Sequence, residues 1–335
     1  MNELITDIKS LELETLKNLK NSKSANTIRA YKADFKDFSA FCVKNGLSSM
    51  PTEPKILSLY LTYLSATSKF STLKRRIASI SVIHKMKGHY LDTKHPIIME
   101  NLHGIKRVKG SNQKAKKPIL INDLKLIINV IDQYLSNNVL GEVDCIIPES
   151  SKNIRNKIRD KAIILIGFSG GFRRSELVNI DYEDIEFVPE GVKITIKRSK
   201  TDQFGEGMVK GLPYFTNELY CPVINLKKWL ELSNIKSGPI FRRFTKGSSL
   251  TRDRLTDQSV VLLIKNYLNL AGIENSNYSG HSLRSGFATV AAESGADERS
   301  IMAMTGHKTT QMVRRYIREA NIFKNNALSK IKIWN

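Results

Sequence analysis

Apolar side chains recur every three or four residues through the first hundred positions of the chain, which is the spacing of helices with one buried face. One such run follows Ser24, a residue type that caps helices well. Further runs follow Thr52 and extend to Gly88, and a weaker one follows Pro96. The pattern predicts an all-helical N-terminal part that begins with a leading helix within residues 1–22.

The helical period stops at a lysine-rich stretch. Residues 109–118 show no apolar period and contain four lysines, and Pro118 closes the stretch. Such a composition is typical of a flexible basic linker. We therefore expect a helical domain at residues 1–108 and a second domain at residues 119–335.

The second domain mixes two periods. Residues 192–197 alternate apolar and polar side chains as a half-buried strand does, and a second strand is expected at residues 208–212, after a glycine-rich turn. Helices are predicted at residues 122–135, 153–168, 222–234 and 256–271. This domain is therefore expected to be mixed α+β, mainly helical, with a small antiparallel sheet.

The charge of the chain narrows the choice of partner. The sequence holds 53 Lys+Arg against 32 Asp+Glu, a formal net charge of +21, and residues 69–118 alone hold 13 basic and 2 acidic residues. This excess favours a polyanion, with nucleic acid first and an anionic membrane surface second. No stretch approaches the roughly 18 apolar residues of a membrane span, and no signal peptide is evident, so we expect a soluble cytoplasmic protein without membrane contact.

Four separated clusters of polar residues could support chemistry. They are SGGFRRSEL at 169–177, the strand end at 198–201, HSLR at 281–284, and TGH at 305–307 with Tyr316 behind it. Taken singly, each has an ordinary structural explanation: a surface ion pair, a solubilising lysine, a structural histidine and a core tyrosine that shares a helix face with its neighbours Met312 and Val313.

In this order and spacing the four clusters resemble the tyrosine recombinase, or phage integrase, family. GFRRSEL is similar to the first arginine box of the family, HSLR to its His-x-x-Arg box, and TGH with a tyrosine nine residues later to its last box. The helical N-terminal part is similar in layout to the core-binding domain of the family. The resemblance implies an α-helical, SAM-like core-binding domain followed by a catalytic domain with the DNA breaking-rejoining enzyme fold. Phe172 departs from the pattern, since leucine is commoner there.

The resemblance also implies a site that holds a phosphate. Arg173 and Arg284 would bind the non-bridging oxygens of the scissile phosphodiester with their planar forks. His307 would donate to a phosphate oxygen, and Glu176 would orient either Arg173 or His281.

A second group would move protons and form the covalent bond. Tyr316 would attack the phosphate, His281 would help to deprotonate it, and Lys200, in the turn between the two predicted strands, would protonate the leaving 5′ oxygen. Lys197, Arg198 and Lys210 are close to Lys200 in the sequence and are the alternatives for this role. The reaction would need neither a metal nor ATP and no cofactor is expected.

Partners follow from the charge and from the resemblance. We expect double-stranded DNA with an inverted-repeat site, four copies of the chain on two such sites, strand exchange through a Holliday junction, accessory DNA-bending or directionality proteins, and association with the nucleoid. The apolar tail at residues 321–335 is expected to dock on a neighbouring protomer. Residues expected to contact DNA are Lys74, Arg75, Arg76, Lys109, Lys114, Lys116, Lys117, Arg242 and Arg243.

Two other functions remain open at this point. A type IB topoisomerase uses similar arginine, lysine, histidine and tyrosine chemistry but acts as a monomer on one site. A basic DNA-binding regulator would keep the motifs only as scaffold. Integration, excision and dimer resolution are equally compatible with the sequence.

Overall fold

A computed structural model gives the chain as two compact units, Met1–Lys114 and Ala115–Asn335. The residues that the structure describes are 8–110, 116–139, 149–197, 207–247 and 249–320. The division between the units falls inside the segment 109–118 that the sequence assigns to a linker. Helices dominate and the strands are antiparallel, so the predicted fold class is confirmed.

The N-terminal unit is built from amphipathic helices. The helices described in it are α1 (Ile8–Asn21), α2 (Ala25–Lys44), α3 (Pro54–Ser65), α4 (Phe70–Met86) and α5 (Pro96–Lys109). Ser24 caps α2 through its hydroxyl, which accepts the backbone N–H of Thr27. Prolines open α3 and α5, where the missing N–H costs nothing. The buried faces of α2 to α5 meet in one apolar core that includes Phe38, Tyr60 and Ile80.

Helix α5 continues slightly further than the sequence suggests. Val108 and Lys109, which we assigned to the end of the helical domain and to the linker, form its last turn. The helix ends at Gly110, which has a φ of 71° and whose N–H donates to the carbonyl of Lys106. Glycine reaches this left-handed conformation without strain, so it stops the helix here.

The C-terminal unit packs helices around a central one. The helices described in it are α6 (Ile121–Val139), α7 (Glu149–Ser169), α8 (Arg174–Val178), α9 (Pro222–Ser233), α10 (Asp257–Leu270), α11 (Ser282–Glu293), α12 (Glu298–Thr305) and α13 (Thr310–Ala320). Helix α7 contacts α6, α9 and α11, and the run from Ala162 to Ile166 is buried on every side. In the ranges described above, none of the helices combines the length and the apolarity that crossing a bilayer requires.

Two antiparallel sheets stand beside these helices. In the described part of the chain, one sheet has the order β1 (Ile185–Val188), β2 (Gly191–Ile196), β3 (Met208–Pro213), and the other pairs β4 (Arg242–Phe244) with β5 (Leu250–Arg254). The two predicted strands correspond to β2 and β3. The sequence missed the others because β1 is only four residues long and because β4 and β5 are mostly charged, so neither shows a clear apolar alternation.

Candidate functional site

A glycine turn between α7 and α8 contacts Arg284 and leads directly into Arg173. Gly171 has a φ of +53°, and a Cβ there would lie 2.9 Å from the ring of Phe287, so both conformation and space require glycine. The Gly171 carbonyl accepts a hydrogen bond from Nη1 of Arg284 at 2.9 Å. The turn therefore links the first arginine box to the His-x-x-Arg box.

Arg173 follows this turn and is fixed by Glu176. The N–H of Arg173 donates to Oε2 of Glu176 at 2.9 Å, and its Nη1 donates to Oε1 at 2.5 Å. Glu176 is buried, and Nη2 of Arg173 lies 3.4 Å from the Gly306 carbonyl. The carboxylate thus caps α8 and orients the guanidinium of Arg173, which is the contact expected of a residue that supports it.

Arg284 is fully buried on α11 and only partly hydrogen-bonded. Its Nη1 donates to Gly171, but its Nε and Nη2 have no hydrogen-bond partner among the described residues. Burial, and then the nearby charge of Arg173, lower the pKa of Arg284 to about 10, while Glu176 and Tyr316 oppose this shift. Each buried donor without a partner costs the fold about 1–3 kcal/mol. An oxyanion is the ligand that would best satisfy two such donors on a cationic group.

The TGH segment places a neutral histidine beside the two arginines. Helix α12 ends at Thr305, and Gly306, with a φ of 63°, turns the chain so that His307 is buried. The Thr305 hydroxyl donates to the Ile301 carbonyl at 2.6 Å and lies 2.8 Å from Nδ1 of His307. Because its one proton goes to Ile301, the hydroxyl accepts from Nδ1–H, and Nε2 keeps its lone pair.

Burial and the surrounding cations determine the charge of His307. Burial comes first, followed by Arg284, Arg173, His281 and Lys210, and together they lower the pKa of the ring to about 4. At pH 7 the imidazole is therefore neutral. A phosphate close to the arginines would oppose this shift, because a negative charge favours the protonated ring.

Tyr316 lies next to His307 within the same chain. The ring centroids of the two residues are 6.2 Å apart and their planes make an angle of 29°. Val313 is buried, and Tyr316 and Ile317 pack beside it against α11 and α12. Met312 is 52% exposed, so it does not lie on the packed face with Val313, whereas Ile317 is partly buried there.

His281 and Tyr316 line one cavity. His281 lies just before the first residue of α11 and is exposed, whereas Arg284 one turn later is buried. The cavity measures about 280 Å³. Its other lining residues are Lys116, Pro118, Ser279, Ser285, Thr289 and Arg315. The lining thus includes His281 and Tyr316, whereas Arg284 and His307 are buried and do not line this cavity.

Three lysines, Lys197, Lys200 and Lys210, are candidates for the general acid, and the structure shows different surroundings for Lys197 and Lys210. Lys200 lies outside the described residues, so its role stays a prediction. Lys197 forms an ion pair with Asp184, at 2.6 Å between Nζ and Oδ1. Lys210 is buried on β3 with its Nζ 2.7 Å from the Gly170 carbonyl. The sequence does contain a signal for Lys210, because it alternates with Met208 and Leu212 on the inner face of the strand.

The basic residues of the N-terminal unit fall into two groups. Arg75 and Arg76 both form ion pairs with the buried carboxylate of Asp34, and Arg76 also pairs with Asp37. Lys74 and Lys109 are exposed. The arginines therefore have a structural task that the sequence did not reveal, while the exposed lysines remain the simpler candidates for DNA contact.

The basic residues of the C-terminal unit divide in a similar way. Arg242 donates to the carbonyls of Pro239 and Ser237. Arg243 is exposed and pairs with Asp253 at 2.6 Å. Lys116 donates to the Ser276 carbonyl and Lys117 is exposed, whereas Lys114 is outside the described residues. No contact with DNA is tested by these observations, and all of them stay predictions.

Comparison with known proteins gives consistent matches over most of the chain. A family model described as the phage integrase family matches residues 142–321. An integrase/recombinase xerD homolog of Selenomonas ruminantium is 39% identical over 296 residues, which cover 88% of this chain and 81% of that protein. A tyrosine recombinase of Agathobacter rectalis is 26% identical over 273 residues, which cover 81% and 77%.

Solved structures share the fold. XerH site-specific recombinase bound to a palindromic difH substrate, in a post-cleavage complex, matches with a TM-score of 0.58 at 19% identity over 85% of this chain and 73% of that one. A lambda integrase dimer bound to a COC′ core site matches with a TM-score of 0.56 at 16% identity over 91% and 93%.

Proposed function

This chain belongs to the phage integrase family, the tyrosine recombinases, and we propose that its C-terminal unit breaks and rejoins duplex DNA with Tyr316 as the nucleophile. The observation that supports the proposal most strongly is Arg284. Its Nε and Nη2 are buried and lack a partner among the described residues, and they lie in a site shared with Arg173, His307 and Tyr316.

The first task of the site is to bind the scissile phosphate. Arg284 would donate from Nε and Nη2 to two non-bridging oxygens, while its Nη1 stays on Gly171. Arg173, held by Glu176, would provide the second cation. Donors held in place by Gly171 and Glu176 would stabilise the extra negative charge of the pentacoordinate transition state.

The second task is nucleophilic attack. The Oη of Tyr316 forms a bond to phosphorus, and the bond from phosphorus to the 5′ oxygen breaks. The phenol proton passes to His281, whose exposed ring lines the same cavity as Tyr316. Lys200 gives a proton to the leaving 5′ oxygen. The product is a 3′-phosphotyrosyl bond, which a 5′ hydroxyl from another strand can attack in reverse.

His307 has a third role that depends on its proton. In the free protein its ring is neutral and its Nε2 carries the lone pair. Binding of the phosphate raises the pKa of His307, so the ring takes up a proton and Nε2 donates to a phosphate oxygen.

The partners are duplex DNA and further copies of this chain. The proposal of a DNA partner is supported by the net charge of +21 and by the DNA sites in the XerH and lambda integrase complexes. We further propose an inverted-repeat site, a tetramer on two sites, exchange through a Holliday junction, accessory DNA-bending or directionality proteins and residence on the nucleoid.

Covalent trapping of cleaved DNA tests whether Arg284 is needed for attack on the scissile phosphate. The substrate is a nicked duplex that contains the site selected by the protein from a randomised DNA pool, so that the fragment beyond the nick diffuses away after cleavage. Wild type should give an adduct that resists denaturant. Arg284→Lys keeps a charge but loses the fork, and should slow adduct formation by about 10²- to 10³-fold. A control is Arg254→Lys, because Arg254 pairs with Asp181 and donates to the Val178 carbonyl and has no assigned role on the phosphate. Equal rates in all three proteins would contradict the proposal.

The role of Lys200 has a separate test. Lys200→Ala should cleave a normal phosphodiester slowly, since the 5′ oxygen leaves poorly without a proton. A 5′-phosphorothiolate substrate has a sulfur leaving group that needs no acid, and it should restore the rate. An equal defect on both substrates would remove Lys200 from this role.

Plasmid substrates distinguish a recombinase from a topoisomerase. A supercoiled plasmid with two directly repeated sites should be resolved into two circles, whereas a plasmid with one site should give no such product. Relaxation of both plasmids at equal rates, without resolution, would favour the topoisomerase alternative.

A further inference from the structure

Lys210 occupies a position where a lysine is costly. It lies on the inner face of β3, opposite Ile194 of β2, and is only 1% exposed. Lysine is almost never fully buried in proteins unless its ammonium is paired, because the charge loses its hydration. The contacts of this ammonium therefore indicate what the residue is for.

The ammonium contacts one turn in two ways. Nζ donates to the Gly170 carbonyl at 2.7 Å and lies 4.3 Å from the centroid of the Phe172 ring. A cation over an aromatic face and a charge-assisted hydrogen bond are both attractive in a buried setting. Lys210 thus holds the turn on either side of Gly171.

The same turn fixes both arginines of the site. The Gly171 carbonyl accepts from Nη1 of Arg284, and the chain passes through Phe172 directly into Arg173. A shift of the turn would move the Gly171 carbonyl, which holds Nη1 of Arg284 and so sets the direction of its Nε and Nη2. It would also move the start of α8. Geometry at this point matters, because a phosphate is gripped well only by donors that are already aligned.

We propose that Lys210 is a positioning residue for DNA cleavage, which acts on Arg284 and Arg173 through the turn at residues 170–172. The inference rests on the proposed function and adds to it a residue that does not touch the DNA. It also explains why an inward position of β3 carries a cation when its neighbour Leu212 is apolar.

The charged groups around Lys210 agree with this placement. Burial lowers the pKa of Lys210 to about 7, Glu176 opposes the shift, and Arg284 and Arg173 reinforce it. Lys210 is in turn one of the cations that lower the pKa of His307. The ammonium therefore belongs to the same electrostatic cluster as the arginines.

The test compares three variants of the full chain. Lys210→Met keeps the volume and removes the donor and the charge. Lys210→Arg keeps a donor, a charge and a planar group that can stack on Phe172. Leu212→Ala is the matched control, since it removes buried packing on the same face of the same strand and takes away no charge or hydrogen-bond donor. For each protein the melting temperature, the half-saturating concentration of the nicked duplex and the single-turnover cleavage rate at saturating DNA are measured.

The proposal predicts a split between rate and binding. Lys210→Met should lower the cleavage rate roughly 10- to 100-fold, as loss of an outer supporting contact commonly does, with the half-saturating DNA concentration unchanged. Lys210→Arg should recover most of the rate, and Leu212→Ala should keep it even if it melts earlier.

Two results would overturn the inference. One is a Lys210→Met protein that cleaves as fast as wild type. The other is a rate loss in Lys210→Met that Leu212→Ala reproduces at a similar melting temperature, which would make the effect one of general packing. If wild type itself forms no adduct, the proposed function fails and the role of Lys210 fails with it, so the two failures are told apart by the wild-type lane.

Discussion

Replacing Arg284 by methionine should make the protein more stable and inactive at the same time. The folded state holds the guanidinium in a place that disfavours its charge, since the pKa falls from 12.5 to about 10. At 1.36 kcal/mol per pKa unit, the charged group is roughly 3 kcal/mol less favourable in the folded protein than in water. Because pH 7 lies below both pKa values, the whole penalty is present at neutral pH and fades only as the pH rises above about 10.

Methionine removes this penalty and also the two buried donors without partners. It leaves the Gly171 carbonyl without its bond to Nη1, which costs about 1–3 kcal/mol. The net effect is a gain of about 1 kcal/mol in the free energy of unfolding. For a domain of this size that corresponds to about 2–4 °C in melting temperature.

Thermal melting at pH 7 with and without the nicked duplex measures both effects. Without DNA, Arg284→Met should melt above wild type. With DNA, wild type should gain more than the variant, because only wild type can pair the buried guanidinium with phosphate. A variant that melts several degrees below wild type without DNA would refute the reasoning, since Arg284 would then stabilise the fold instead of serving a ligand.

Two further predictions concern His307 and the N-terminal unit. Burial lowers the pKa of His307 to about 4, so between about pH 6.5 and 4 the unfolded chain binds a proton that the folded ring does not bind. Wild type should therefore lose stability as the pH falls through this range, and His307→Gln should lose less. Urea titrations that give both proteins the same slope of unfolding free energy against pH would contradict this. Arg76→Ala should lower the free energy of unfolding by about 1 kcal/mol, because buried Asp34 loses one cationic partner but keeps Arg75. Lys74→Ala should leave the melting temperature unchanged and reduce the log-log salt slope of DNA affinity by about 0.9. An unchanged slope would place Lys74 away from the DNA.

The sequence was most informative where a local rule decides the structure. Helix starts at Ser24 and Pro96 follow from capping and from the missing proline N–H, and the order of the four polar clusters indicates the family. The site residues Arg173, His307 and Tyr316 were named from those clusters, and the structure places them together although more than 130 residues separate the first from the others.

The sequence does not predict which distant residues contact each other in the folded chain. Asp34 and Arg75 are 41 residues apart, so the sequence does not show that two members of the predicted DNA-binding run also pair with a buried acid. The sequence indicates Lys210 only as an alternative to Lys200. Periodicity predicts that this strand position faces inward, but it does not predict that the Gly170 carbonyl accepts a hydrogen bond from Lys210.

The most direct test of the account is to identify the residue that becomes attached to DNA. The trapped adduct is digested with a protease and a nuclease, and the modified peptide is sequenced by mass spectrometry. Tyr316→Phe is paired with Tyr278→Phe, a control at a buried tyrosine whose hydroxyl donates to Asp123. The account predicts a nucleotide 3′-phosphate on Tyr316, an adduct from Tyr278→Phe and none from Tyr316→Phe, although both variants bind the duplex. An adduct that persists in Tyr316→Phe, or one attached through a 5′-phosphate, would contradict it.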